Sequence, residues 1–227
     1  MPFSDLPDRL REVRGRIAAA VQRGGHAQQV TIVAVTKTHG PDAAVAAWEA
    51  GLRDVGENRI QEALAKMGAV TVPLSWHLIG HLQRNKAKLS TSFDLVHSLD
   101  SERLADALNE VGRKRERPID VLVQVNVVDE ASKGGYTLAV LDAEGERLRA
   151  LSGLRVRGAM AMAPLDANET TLRKVFSGAR AARDALAGAG HPATELSIGM
   201  SNDFEIAVEE GATYVRLGTI LFGARSA

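Results

Sequence analysis

The sequence predicts an α/β protein that folds as a single TIM-type (β/α)8 barrel, and two observations support this prediction. Eight short segments rich in apolar and β-branched residues alternate along the chain with segments that have the apolar spacing of helices. Strands that alternate with helices pair in parallel through right-handed crossovers. The composition does not change along the 227 residues, so we expect one domain over residues 1–227. An open, doubly wound sheet is the alternative.

The first predicted elements are a helix, a strand and a second helix. The apolar residues of the first helix recur at spacings of four, three, four and four residues: Leu6, Leu10, Val13, Ile17 and Val21. Gly24 and Gly25 end this helix. Residues 30–35 form an unbroken β-branched and apolar run, which is typical of a parallel strand buried on both faces. Pro41 begins the second helix, which ends near Gly51.

Seven more strands and six more helices follow. The predicted strands begin near Leu52, Leu74, Phe93, Ile119, Leu154, Thr194 and Ala212. The predicted helices cover residues 60–67, 81–89, 102–114, 138–151, 170–189 and 202–210. Loops that follow strands lie at the carboxyl end of a barrel, where binding and catalytic residues concentrate. The polar segment 128–135, which contains Lys133, is one of these loops.

Composition and motif content exclude several functional classes. The 28 Lys and Arg residues balance the 28 Asp and Glu residues, which argues against a dedicated nucleic-acid or anionic-membrane binder. The absence of cysteine excludes disulfides, thiol nucleophiles and cysteine-based zinc sites. The motifs of P-loop NTPases, zincins, α/β-hydrolases and dinucleotide-binding folds are also absent. With no signal peptide and no apolar run of the roughly 20 residues that span a bilayer, we expect a cytoplasmic protein.

Lys37 is the first candidate for chemistry, because it lies at the predicted carboxyl end of the first strand. A lysine at this place can enter a partly desolvated mouth, where burial lowers the pKa of its ammonium group. A neutral amine attacks an aldehyde to form a Schiff base. From position alone, however, a solvated lysine in a strand-to-helix loop is the more common outcome.

Two segments near the carboxyl terminus could bind a phosphate. Residues 196–203 form a short strand that leads into residues typical of a helix start, and residues 215–220 form a strand that ends in Gly-Thr. Free backbone N–H groups and the helix dipole at such starts attract phosphate. Barrels often bind phosphate in the loops after strands seven and eight, which are these two segments. Ordinary capping and turn chemistry is the alternative interpretation.

Closure of the barrel would bring these candidates together. The eighth strand of a closed barrel pairs with the first, so Arg216 and Lys37 can flank one ligand. A phosphate site, an arginine and a reactive lysine suit a phosphorylated aldehyde. Pyridoxal 5′-phosphate (PLP) is the obvious cofactor of this kind.

Five segments then carry a resemblance to a known family: residues 33–38, 55–62, 76–83, 197–201 and 216–219. They include the patterns GENxxQE and HxIGxLQ, which are specific. The chain resembles the pyridoxal-phosphate homeostasis protein family, also called the proline-synthase co-transcribed family, over nearly its whole length. The fold of this family is similar to the N-terminal barrel domain of alanine racemase.

The resemblance implies eight cofactor-binding residues: Lys37, Asn58, Gly199, Met200, Ser201, Arg216, Gly218 and Thr219. Lys37 would hold PLP as a Schiff base. Arg216 would face the pyridine nitrogen, and Asn58 would line the pocket near the ring.

The phosphate half of the implied site comes from the last two strands. Ser201, Gly218 and Thr219 would bind the phosphate, with help from the backbone of Met200 or Gly199. All five residues belong to the segments that the residue patterns had already indicated as phosphate loops.

Three histidines also bear on the resemblance. The family often has a second lysine where this chain has His39, and often a proline where it has His81. His77 lies in an apolar strand, and we interpret it as a core histidine with satisfied hydrogen bonds.

The leading hypothesis is a monomeric, non-enzymatic protein that stores, buffers or delivers PLP, with PLP-dependent apo-enzymes as transient partners. A PLP-dependent amino-acid racemase is the alternative, and an aldolase-like barrel enzyme is a more distant one. Racemisation needs two opposed acid/base groups, and in the racemases the opposing tyrosine comes from a second domain and the partner subunit. This chain has only Tyr136 and Tyr214, and Tyr214 is expected to be packed within the eighth strand.

Overall fold

Eight parallel strands close into a barrel in the order in which they follow one another along the chain. The computed structural model describes residues 3–128 and 134–223, so Lys133 lies outside the described residues. The strands are β1 Thr31–Val35, β2 Asp54–Glu57, β3 Ser75–Leu78, β4 Leu95–Leu99, β5 Ile119–Gln124, β6 Leu154–Met160, β7 Glu195–Met200 and β8 Tyr214–Leu217. Strand β8 pairs with β1 and places Arg216 beside Val33. The predicted closed barrel is therefore confirmed, and the open-sheet alternative is wrong.

Helices follow the strands and cover the outside of the barrel. In the described ranges they are α1 Leu6–Gly24, α2 Pro41–Glu49, α3 Ile60–Ala69, α4 Glu102–Lys114, α5 Leu141–Arg149, α6 Glu169–Gly188, α7 Phe204–Glu209 and α8 Thr219–Phe222. Two further segments, Arg84–Ser92 and Leu138–Val140, are 3-10 helices. Among these described elements, no helix combines the length and apolar character needed to cross a membrane.

Helix α1 buries nearly the stripe that the sequence predicts. Four of its five predicted positions are buried, but the fifth buried position is Ala20, and Val21 is only half-buried. With 3.6 residues per turn, Ala20 and Val21 flank the stripe at about the same angle on opposite sides, so the spacing alone does not decide which of them is buried. Gly25 ends the helix in the left-handed conformation, with φ of 69°.

The segment predicted as a helix over residues 81–89 is instead the 3-10 helix Arg84–Ser92. Its buried residues are Ala87 and Ser90, which lie three positions apart. This spacing matches the three residues per turn of a 3-10 helix, whereas a buried α-helical face also needs apolar residues four positions apart. The predicted helix over residues 138–151 similarly begins as a 3-10 turn, and its α-helical part starts at Leu141.

Most buried apolar residues of the described ranges fall into two clusters, a large one that joins strands to helices and a small one formed by Leu95, Leu122 and Met160. Met162 and Tyr214 pack against the small cluster while remaining partly exposed. The sequence predicts Met160 and Met162 as core residues of the sixth strand. This prediction is confirmed for Met160, whereas Met162 lies beyond the end of β6 and lines a cavity.

Candidate functional site

A cavity of about 700 Å³ opens at the carboxyl ends of the strands. Seven of the eight predicted cofactor-binding residues line it: Lys37, Asn58, Met200, Ser201, Arg216, Gly218 and Thr219. Most of them follow the last residue of a strand directly or within two positions. The closed parallel barrel therefore brings residues from the two ends of the chain to one place.

Gly199 is the one predicted residue that the structure does not bring to the cavity lining. Its φ of 88° is a left-handed conformation that favours glycine. A Cβ atom added to Gly199 would lie 2.5 Å from Cβ of Ala207 and 3.1 Å from Cα of Phe204. Packing therefore explains why this position is a glycine, because a side chain there would push α7 away from β7.

The turn that carries Lys37 is tied to neighbouring elements at Thr36, the residue before the lysine. Thr36 donates its hydroxyl hydrogen to Oε1 of Glu57 at 2.5 Å, and its carbonyl accepts a hydrogen bond from Nζ of Lys66 at 2.8 Å. Glu57 and Lys66 also form a buried ion pair. Thr38 has a φ of 70°, an unusual and strained value for a β-branched residue. Strain of this kind clusters at functional sites.

Lys66 was missed by the sequence interpretation. Its side chain is only 7% exposed, and it lies on α3 beneath the Lys37 turn. A lysine on a helix is normally read as a solvated residue, because lysine is seldom fully buried unless it is paired. The signal that could have found Lys66 is Glu57, which ends β2 and supplies the carboxylate that a buried lysine requires.

Arg216 is a buried guanidinium whose position is fixed by three hydrogen bonds. Its Nη1 donates to the carbonyl oxygen and Oγ of Ser197 at 2.8 and 2.6 Å, and its Nη2 donates to the carbonyl oxygen of Ala161 at 3.1 Å. Burial lowers the pKa of Arg216 to about 10, opposed by the nearby charge of Asp203. The group remains protonated at neutral pH and places a fixed positive charge at the cavity.

The loops after β7 and β8 meet at the hydroxyl group of Ser201. Oγ of Ser201 accepts hydrogen bonds from the backbone N–H groups of Gly218 and Ile220 at 3.3 and 3.4 Å. Two donors at the start of α8 therefore converge on one oxygen position, which is the donor arrangement that binds anions. The backbone N–H of Met200, by contrast, donates to Oδ1 of Asp203 at 2.5 Å.

The opposite wall of the cavity contains residues that the sequence interpretation did not assign to the site. Nδ1 of His81 lies 2.8 Å from Oδ2 of Asp100, and Nε2 of Gln124 donates to the carbonyl oxygen of Gly134 at 2.7 Å. All four residues line the cavity. Asp100 follows β4 directly and Gln124 is the last residue of β5, so strand-end position was the signal that could have found them.

Comparison with known proteins decides the family. Residues 10–226 match the family model described as "Alanine racemase, N-terminal domain". The pyridoxal phosphate homeostasis protein of Escherichia coli (strain K12) is 39% identical over 232 residues, which cover 98% of each chain. The chain belongs to the pyridoxal phosphate homeostasis protein family. The resemblance stated from the five sequence segments is thus confirmed.

Solved structures agree with this assignment. The structure of PipY from Synechococcus elongatus PCC7942 with PLP bound has a TM-score of 0.85 and 37% identity, and the match covers 96% of this chain and 100% of that chain. Alanine racemase of Clostridium difficile 630 has a TM-score of 0.75 at 16% identity, over 97% of this chain and 58% of the racemase. The second similarity shows the fold alone.

This pyridoxal phosphate homeostasis family member has a second cavity, of about 760 Å³, next to the first. Lys37 and Asn58 line both cavities. His39, which stands where the family often has a second lysine, lines the second cavity. Its ring packs against Phe3 and Phe222, with centroids 5.4 and 5.5 Å away. His39 therefore joins an aromatic cluster beside the cavity.

Proposed function

We propose that the chain binds PLP in the cavity of about 700 Å³ and takes part in intracellular PLP homeostasis by storing, buffering or delivering the cofactor. The observation that carries this proposal is the convergence of Lys37, Arg216 and Ser201 on one cavity. PipY, a close structural relative whose solved structure has PLP bound, supports the choice of cofactor.

The donors around the cavity fit the three ends of this cofactor. The N–H groups of Gly218 and Ile220, with the hydroxyl groups of Ser201 and Thr219, suit a phosphate. Lys37 supplies the primary amine for attachment of the aldehyde as a Schiff base. Bound PLP supplies an electrophilic aldehyde and a ring that can withdraw electrons.

Arg216 sets the chemical character of the proposed site. A guanidinium that stays charged disfavours protonation of a pyridine nitrogen placed beside it. The ring is then a weaker electron sink than it is beside a carboxylate. This arrangement suits holding the cofactor better than aminotransferase-type chemistry.

The positions of the two tyrosines do not support the racemase alternative. Tyr214 packs edge-on against the rings of His77 and His97, with centroids 5.6 and 5.8 Å away, and burial raises its pKa to about 12. Tyr136 is buried in the core, and its pKa is also raised by burial. Neither tyrosine belongs to the lining of the described cavity. The expected packing of Tyr214 is thus seen.

Borohydride reduction of the PLP-loaded protein tests the attachment site. We expect reduction to fix the pyridoxyl group on the peptide that contains Lys37. Lys37→Ala should lose the absorbance of the covalent adduct but retain phosphate-dependent binding. Label found only on another lysine, such as Lys133, would overturn the assignment of Lys37.

Turnover assays test the non-enzymatic role. We expect no appreciable racemase, decarboxylase or transaminase activity with a panel of amino acids. Turnover on the order of 1 s⁻¹ or more, the low end for ordinary enzymes, would contradict the proposal. His81→Ala is the informative variant if activity is seen, because the His81–Asp100 pair is a candidate acid/base pair on the cavity wall.

We further propose that the protein is a cytoplasmic monomer and that it hands PLP to apo-enzymes through transient contacts. This chain itself supplies each group that the proposal assigns to the cofactor, which supports a monomer. Sedimentation at several concentrations tests the monomer. Delivery is tested by comparing how fast an apo-enzyme is activated by the loaded protein and by the same concentration of free PLP. Equal activation by free PLP and by the loaded protein would argue against directed delivery.

A further inference from the structure

A continuous line of hydrogen-bonded side chains crosses the inside of the barrel beneath the cavity. Nη1 of Arg216 donates to Oγ of Ser197 at 2.6 Å, and Oγ of Ser197 lies 2.9 Å from Nδ1 of His97. Nε2 of His97 lies 2.8 Å from Nδ1 of His77, and Nε2 of His77 lies 3.0 Å from Oδ1 of Asp54. The line joins strands β8, β7, β4, β3 and β2.

The line connects the two ends of the barrel through its buried interior. Arg216, Ser197, His97 and His77 are each 4% exposed or less. Arg216 lines the cavity at the carboxyl end, whereas Asp54 is the first residue of β2 and its side chain is 24% exposed. Buried polar groups are costly unless every member of the network is satisfied.

With both imidazoles neutral, the donors and acceptors at the two ends fix the direction of every bond. A guanidinium can only donate and a carboxylate can only accept, while a neutral imidazole does one of each. The Asp54 carboxylate therefore requires the hydrogen on Nε2 of His77, which leaves Nδ1 of His77 as an acceptor. His97 must then donate from Nε2, and its own Nδ1 accepts the hydroxyl hydrogen of Ser197.

The opposite direction is less favourable because it leaves groups unsatisfied. If His97 donated to Ser197, the Ser197 hydroxyl would accept from both His97 and Arg216, and its own hydrogen would have no acceptor in the line. Nε2 of His77 would then face the Asp54 carboxylate without a hydrogen. Burial, assisted by the charge of Arg216, holds the pKa of His97 well below its usual value, which keeps this ring neutral.

We propose that Asp54, His77, His97 and Ser197 form a one-way relay that positions the guanidinium group of Arg216 from the far end of the barrel. Ser197 then presents only a lone pair to Arg216, and the carboxylate of Asp54 anchors the relay. These four are positioning residues, since none of them lines the cavity. The effect of the relay on a bound cofactor rests on the proposed function, but the direction of the bonds does not.

Nitrogen NMR of the isotope-labelled, cofactor-free protein tests the relay, at a pH above the usual pKa range of histidine. We expect both His77 and His97 to carry their hydrogen on Nε2. Asp54→Leu should lose the resonance of the His77 Nε2–H and shift the side-chain resonances of Arg216. Asp54→Asn should restore the wild-type pattern, because its amide oxygen can accept the same bond.

Asp120→Leu is the matched control, since Asp120 also lies near the start of a strand and accepts hydrogen bonds from Arg155 instead of the relay. This variant should leave the resonances of both histidines and of Arg216 in place. A hydrogen on Nδ1 of either histidine in the wild type would overturn the proposal. Unshifted Arg216 resonances in a folded Asp54→Leu variant would also overturn it. If that variant fails to fold, the positions of the ring hydrogens of His77 and His97 in the wild type decide whether the proposal holds.

A second readout uses the loaded protein. Asp54→Leu should shift the absorbance maximum of bound PLP, and Asp54→Asn and Asp120→Leu should not. An unchanged absorbance maximum in Asp54→Leu would overturn the proposal that the relay acts on the cavity. If the wild type fails to bind PLP, the proposed function falls while the NMR result still decides the relay.

Discussion

The two cationic side chains at the cavity are held in different ways. Arg216 is the third residue of β8, and its guanidinium group is fixed by hydrogen bonds to Ser197 on β7 and to Ala161 just after β6. Lys37 lies on a turn beyond β1, and the adjacent Thr36 is tied to the buried Glu57–Lys66 pair. Arg216 is thus held from within the barrel wall, whereas the turn before Lys37 is held in part by a buried ion pair outside the strands. The residue proposed to form a reversible bond therefore lies beside a support that a single substitution can weaken.

Of the substitutions that test this difference, Lys66→Met should have the largest effect, and that effect is on the free energy of unfolding. It leaves the carboxylate of Glu57 buried without its cation, which costs about 3–5 kcal/mol of the free energy of unfolding. Urea denaturation measures this loss. We also expect weaker borohydride labelling of Lys37 in any folded fraction, because the turn loses its tie at Thr36.

Two controls sharpen the test of Lys66. The exposed pair Lys114–Glu110 offers Lys114→Met, which should leave the free energy of unfolding nearly unchanged. The double variant Glu57→Gln with Lys66→Met should recover much of the lost stability, because it removes the unpaired charge. Equal losses for Lys66→Met and Lys114→Met would show that the buried pair does not support the turn.

Ser201→Ala should have an intermediate effect, on ligand binding rather than on the turn. It removes a hydrogen bond to a charged phosphate, which corresponds to about 1.5–3 kcal/mol, or roughly a 10- to 150-fold rise in Kd for PLP. Equilibrium titration measures this change. Binding of pyridoxal, which has no phosphate, should be much weaker than that of PLP and nearly the same in both proteins.

The control for this prediction is Ser177→Ala on α6, where the hydroxyl group bonds to the carbonyl oxygen of Arg173. This variant should bind PLP as the wild type does. If pyridoxal binds the wild type as tightly as PLP, the phosphate site at the ends of β7 and β8 is wrong.

Asp203→Asn should have the smallest effect, and its sign depends on pH. Burial raises the pKa of Asp203, opposed by its hydrogen bond from the N–H of Met200 and by the charge of Arg216. The folded state therefore binds this proton more tightly than the unfolded state does. The resulting stability is fully present below the unfolded pKa and is lost as the pH rises through the raised folded pKa.

Unfolding measured across the acidic range tests this sign. Relative to Asp203→Asn, the wild type should lose stability as the pH rises through that window, and the amide oxygen of the variant can still accept from Met200. A wild type that gains stability relative to the variant over the same window would contradict the prediction.

The strands of the barrel could be predicted because each is marked by composition over four to seven residues. The run at residues 30–35 contains β1, and the predicted starts of the other strands lie within about two residues of the observed ones. The sequence interpretation takes the 3-10 helix Arg84–Ser92 for an α-helix, because the repeats of the two helix types differ by less than one residue per turn.

The candidate site was predictable where a single strand end carried the signal. Lys37, Ser201 and Thr219 each lie just beyond a strand, and the family resemblance added Asn58. The relay could not be predicted, because His97 and Ser197 are 100 residues apart and meet only across the closed barrel. Lys66 was hidden for a similar reason, since its burial depends on a carboxylate from another element.

The closure of β8 onto β1 has a consequence for the order of events during synthesis. Lys37 leaves the ribosome well before Gly218 and Thr219, because about 180 residues separate them along the chain. Domains that depend on such distant pairing complete their structure only when the last element is available. The nascent chain therefore carries Lys37 before it contains the groups proposed to select a phosphate. The proposed selectivity for a phosphorylated cofactor depends on the pairing of β8 with β1, which brings the two parts of the site together.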